Sequence, residues 1–197
     1  MNHTTLNAQP RRQLLIAYLA AAAVGTHLLE SALPGLGPWF KPGLANSFTL
    51  VAYFQLGWQA AVGVSIIRVL VGSIALGTFL SPTFFLSFAG ATGALLVLGL
   101  LSLLSGTVGG TATVSDHPLH HHTKTGLGPV GVSLLASLAH MIFQVVTAWL
   151  LIISHSGIFL ALPWFLLGSW LTGIVNGLLA FLILERLARF SLLQERR

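Results

Sequence analysis

Arg68 stands in the run Val64-Ser65-Ile66-Ile67-Arg68-Val69-Leu70, where nothing else carries charge. Glu30 ends a similar run, and His27 precedes it by three residues, so the two share a helix face. His140 and Gln144 stand four apart in another apolar stretch, Asn176 lies beside Thr172 in a further one, and Asn46 opens a third with Ser47 and Thr49. A charge inside a bilayer costs several kcal/mol, so intramembrane ionisable residues are read first as functional. Glu30 is the acid best placed to pair with Arg68, because Glu185 sits at a helix end and Asp116 and Glu195 fall in loop and tail. Together His27, Glu30, Asn46, Arg68, His140, Gln144 and Asn176 form an inward-facing polar set suited to binding a small polar or amphipathic solute. Against this stands a structural reading, in which Ser, Thr, Asn, Gln and His only bond between helices at about 0.6 kcal/mol each.

These residues sit in a chain that only a membrane accommodates. Of 197 residues, 55% are hydrophobic and 7% charged, where a soluble domain carries roughly 25% charged residues. A water-soluble globule and a disordered chain are both excluded. There is no Cys, hence no disulfide, thiolate-bound iron–sulfur cluster or Cys-based zinc site. The net charge of +5 is spread too thinly for nucleic-acid binding and reads as topology.

A spanning helix needs about 20 apolar residues. Residues 13–33, 83–104, 129–154 and 161–184 each meet that length. The first follows Arg11-Arg12, and its length among equally apolar segments favours a retained span over a cleaved signal peptide. Residues 43–80 form one span with a stub or two spans pivoting at Gly57. Arg11 and Arg12 at one end and Arg186, Arg189, Arg196 and Arg197 at the other place both termini in the cytoplasm, which demands an even number of spans and favours six. The expected organisation is a tail over 1–12, an all-α six-helix membrane domain over 13–185 and a basic tail over 186–197. The loop over 105–128 is cytoplasmic and holds the tract from His117 to His122, read as solvated rather than metal-binding.

Two stripes of small residues permit close helix approach: Ala17, Ala21 and Gly25 on the first span, and Gly173 with Gly177 on the last. Each serves either internal packing or docking of another membrane protein.

Several segments resemble the Gx transporter family, also described as heptaprenyl diphosphate synthase component I. They are His27-Leu28-Leu29-Glu30-Ser31, Lys41-Pro42-Gly43-Leu44-Ala45-Asn46, Arg68-Val69-Leu70-Val71-Gly72-Ser73, Leu80-Ser81-Pro82-Thr83-Phe84 with Ser87-Phe88-Ala89-Gly90, and Ala139-His140 with Gln144. The resemblance covers roughly residues 13–185; Pro42 stands where the family more usually has Leu. The family is in turn similar to the S components of energy-coupling factor transporters. That likeness implies a six-helix solute-binding protein working with a transmembrane coupling protein and two ATP-binding-cassette ATPases. It also implies that Ala17, Ala21 and Gly25 contact the coupling protein.

The synthase label meets a chemical objection. Prenyl transfer uses magnesium held by aspartate-rich motifs, and this chain has one Asp, Asp116. No Walker motif is present. The expectation is therefore a non-enzyme with no cofactor, acting in the cytoplasmic (inner) membrane as a transporter component. The alternative is a non-catalytic accessory subunit in isoprenoid quinone or flavin redox chemistry or in prenyl diphosphate metabolism. Its intramembrane His pair would handle protons there, and haem ligation is disfavoured.

Overall fold

In a computed structural model of the chain, residues 8–32, 43–105 and 126–195 are described. The His117–His122 tract, Lys41, Pro42, Asp116, Lys124 and the Arg196-Arg197 end lie outside them. The described residues form six helices and no strand: α1 (Ala8–Ala32), α2 (Asn46–Leu56), α3 (Trp58–Ala75), α4 (Pro82–Leu104), α5 (Pro129–Ala148) and α6 (Leu162–Glu195). Five of these runs are long and apolar enough to cross a membrane. The all-α membrane bundle expected from composition is what forms.

The exception in length is α2. Its 11 residues rise about 16 Å, roughly half a bilayer core. It is buried on almost every side, from Ser47 through Phe54, as a helix apolar all round should be. It packs between α1, α3 and α6. The Arg12 guanidinium reaches across to the Leu56 carbonyl at 3.3 Å, capping an otherwise open helix end. The chain direction therefore still alternates through six elements, and α6 ends on the side where α1 begins.

Gly57 is the pivot between α2 and α3, with φ 88° and ψ 178°. Glycine alone occupies that region without strain. Gly57→Ala should lower stability by about 1–3 kcal/mol, read as a lower unfolding temperature in detergent. The turn from α3 to α4 is built differently: the Ser81 hydroxyl accepts from the Phe84 N–H at 3.4 Å, and Pro82 stands at the first helical position. At its far end α5 loosens into a π turn (Trp149–Ile153), closed by Ser154 in the left-handed region. A short 3-10 segment, Ser156–Ala161, leads into α6.

The bundle has two unlike halves. Leu19, Val51, Phe54, Val64, Leu98, Val132 and Leu184 form a continuous apolar core, drawn from the α1 start, the α2 end and the corresponding ends of α3 to α6. That core fills the half bearing the chain termini. α6 continues helical through the basic segment to Glu195, with Ile183 and Leu187 packed on the core and Arg189 paired to Glu185 one turn back.

Candidate functional site

The other half is hollow. A cavity of about 280 Å³ opens there, and all six helices line it. His27, Glu30, Asn46, Arg68, His140, Gln144 and Asn176 all face it. These residues span 150 positions of sequence, and the alternating helix directions bring them to one level: the second halves of α1, α3 and α5 meet the first halves of α2, α4 and α6.

Arg68 and Glu30 are the centre of the site. Their exposures are 6% and 8%, and Glu30 lies close enough for its charge to act on the guanidinium. The Glu30 carboxylate also accepts the Leu44 backbone N–H. That bond ties the Glu30 segment to the Gly43-Leu44-Ala45-Asn46 segment, so the last turn of α1 holds the start of α2. Next to it the Ser47 hydroxyl donates to Asn176 Oδ1 at 3.1 Å, with Asn176 only 3% exposed. Asn176 thus anchors α6 to α2 while also lining the cavity.

Both histidines are seated on glycines. A Cβ at Gly72 would lie 2.7 Å from His27 Cδ2, and one at Gly90 would lie 2.5 Å from His140 Nε2. Each ring therefore lies against the backbone of a neighbouring helix, His27 on α3 and His140 on α4, and His140 hydrogen-bonds the Gly90 backbone. Two polar atoms at the site are buried without a hydrogen-bond partner among the described residues: Arg68 Nε and His140 Nδ1.

Sequence reasoning missed Ser137, Ser169, Met141, Thr78 and Phe165, which also line the cavity. The Ser169 hydroxyl donates to the Ser137 carbonyl at 2.6 Å, binding α6 to α5. A signal was present, because Ser137, His140, Met141 and Gln144 share one face of α5, as do Ser169, Thr172 and Asn176 on α6. Gly72 and Gly90 stood in recognised segments, but their role as seats for imidazole rings needs the fold.

The two small-residue stripes part company. Gly177 is packed into α5, where a Cβ would meet Val130 Cα at 2.6 Å. Ala17 and Ala21 are exposed, and Gly25 is exposed with nothing within 4 Å of a Cβ. Internal packing explains the α6 stripe and fails for the α1 stripe. Among the described residues no three His, Asp or Glu side chains gather as a metal-binding group.

Comparison with known proteins is in line with the segments quoted above. No curated protein and no solved structure matches the chain. A family description, heptaprenyl diphosphate synthase component I, matches residues 19–183. That span reaches every helix of the bundle and takes in every polar residue of the cavity, so the chain is a membrane protein belonging to the heptaprenyl diphosphate synthase component I family.

Proposed function

We propose that this protein is the solute-binding component of a membrane transporter, taking a small polar or amphipathic molecule into the cavity around Arg68. The observation that carries this reading is the placement of polarity. Seven polar or charged side chains, scattered through an apolar chain, converge on one hollow, while the other half of the interior is mainly Leu, Val, Ala and Phe, with only hydroxyl side chains such as Ser65, Ser102 and Ser133 buried among them. Polar side chains serving only to lock helices would be expected to close on one another. Here Arg68 Nε and His140 Nδ1, on two of the lining residues, are buried with no hydrogen-bond partner among the described residues.

The family's name speaks of a synthase, and the residues present do not fit that chemistry. Magnesium-bound diphosphate needs several hard carboxylate oxygens, and among the described residues Glu30 is the one acid lining the cavity. We assign the protein no catalytic step.

Arg12, Arg186 and Arg189 lie at the end of the bundle opposite the cavity. Under the positive-inside rule that end is cytoplasmic and the cavity faces outward in the cytoplasmic membrane. No ATP-hydrolysing motif is present in the chain, so uptake needs partner subunits: a transmembrane coupling protein and cassette ATPases. The exposed Ala17, Ala21 and Gly25 stripe on α1 is the surface for the coupling protein, since small residues let helices approach closely.

The test is a mild-detergent pull-down of the tagged protein from its native membrane, with mass spectrometry of proteins and small molecules. Cassette ATPases and a coupling protein are expected with the wild type and lost from Gly25→Leu. That variant should melt at the wild-type temperature, because nothing lies within 4 Å of its new Cβ. Recovery of flavin- or quinone-handling proteins instead, with a matching visible chromophore, would overturn the transport reading in favour of a redox accessory subunit.

A further inference from the structure

Five hydroxyl groups of the cavity wall spend their protons on backbone carbonyls. Ser73 donates to Leu70 at 2.9 Å, Thr78 to Ser73 at 3.4 Å, Ser137 to Leu134 at 3.0 Å, Ser169 to Ser137 at 2.6 Å and Thr172 to Ser169 at 3.0 Å. We infer that the solute is held through its own O–H or N–H groups, donated to a wall of hydroxyl oxygens, with its apolar side on Phe84, Met141, Val145 and Phe165. This inference rests on the solute-binding reading above and names the polarity of the molecule bound there.

The direction of each bond is fixed by chemistry. A carbonyl oxygen only accepts, so in every case the hydroxyl is the donor. Its one proton is then committed, and the lone pairs of its oxygen remain. Ser73, Ser137 and Thr172 each bond back to the carbonyl three residues earlier, a local bond that a helix makes without any ligand. Thr78, Ser137 and Thr172 are half-buried lining residues, so the cavity reaches them. The five come from two places in the wall: the end of α3 with the turn after it, and the seam between α5 and α6.

Few donors stand against these acceptors. Arg68 only donates, but it is 6% exposed and its Nε is buried. Glu30, as a carboxylate, accepts. The Asn46 and Gln144 amides serve either way. A solute carrying acceptors alone would have to turn hydroxyls away from their carbonyls, losing one hydrogen bond for each one gained. A solute carrying donors gains its bonds with the wall left as it is.

Two six-membered rings of similar size serve as probes: resorcinol, with two O–H groups meta to each other, and pyrimidine, with two bare nitrogen acceptors in the same relation. Binding is measured by saturation-transfer NMR on the full detergent-solubilised chain, for the wild type, Ser137→Ala and Thr172→Val. Comparing one probe across the three proteins cancels its partition into the micelle. Both substitutions remove a hydroxyl oxygen and keep the local ties: the Ser137 carbonyl still accepts from Ser169, and valine keeps the branched shape of threonine. Resorcinol is expected to bind the wild type about tenfold more tightly than pyrimidine. It should weaken by about fivefold to tenfold in each variant, the worth of one hydrogen bond, while pyrimidine does not weaken. Melting temperatures should stay at the wild-type value, because a purely structural role of these hydroxyls would not lower affinity at unchanged stability. Pyrimidine binding as tightly as resorcinol overturns the assignment, and this comparison stands on the wild type alone. Resorcinol affinity unchanged in both variants overturns it too, as does absence of resorcinol binding to the wild type. In each case a solute retained in the pull-down would still support transport, which keeps the two failures apart.

Discussion

Glu30→Gln unfolds at a markedly lower temperature than the wild type, and adding Arg68→Gln to it restores most of the loss. This is the expected result for two buried groups, 8% and 6% exposed, of which one carries a positive charge that cannot be shed. Removing one member of a buried charge pair leaves the other uncompensated, at a cost of about 3–5 kcal/mol. Removing both leaves two amides, which is often neutral. Glutamine is chosen because its side-chain oxygen can still accept the Leu44 N–H that ties α1 to α2, so the loss reports charge and not the tether. Thermal unfolding of the four proteins in one detergent gives the coupling energy by double-mutant cycle. Additive effects would mean that Glu30 and Arg68 do not act as a pair. The same set separates stability from function: the double variant is folded and has lost its ligand site, so it should bind no solute.

The charged centre was legible from sequence because charge in an apolar run has no bland explanation. Arg68 and Glu30 stand out by type, and all seven proposed site residues line one cavity. The break at Gly57 was also legible, as the pivot within a long apolar run. What could not be read was inside from outside. Lipid and protein interior are equally apolar, so hydropathy does not distinguish a face packed on another helix from one facing acyl chains. The stripes Ala17, Ala21, Gly25 and Gly173, Gly177 look alike on paper, yet one lies open and the other is sealed against α5. The shortness of α2 stayed open between a span and a stub, since its apolar residues run on into α3 with only Gln55, Gly57 and Gln59 to mark the junction. Ser137 and Ser169 share helix faces with proposed site residues, but hydroxyl residues are common in membrane helices, and only the packing of α5 against α6 shows that theirs line the hollow.

That difference in sealing yields the second large effect. Gly177→Ala should destabilise the protein by about 1–3 kcal/mol or more, although alanine is the better helix former by roughly 1 kcal/mol. The new methyl would lie 2.6 Å from Val130 Cα and 3.0 Å from Ser133 Cβ. A flexible side chain can step aside from such a contact, whereas a helix backbone cannot, so α5 and α6 must separate. Separation acts directly on the cavity wall, because Ser169 to Ser137 and Asn176 to Ser47 are the bonds that hold α6 in place. Solute binding should therefore fall together with melting temperature. Gly63→Ala is the control: it is also a mid-helix glycine, nothing lies within 4 Å of its Cβ, and the gain in helix propensity should leave stability unchanged or slightly raised. Equal melting temperatures for the two variants would show that the α5–α6 seam yields, and that Gly177 is there for some reason other than close packing.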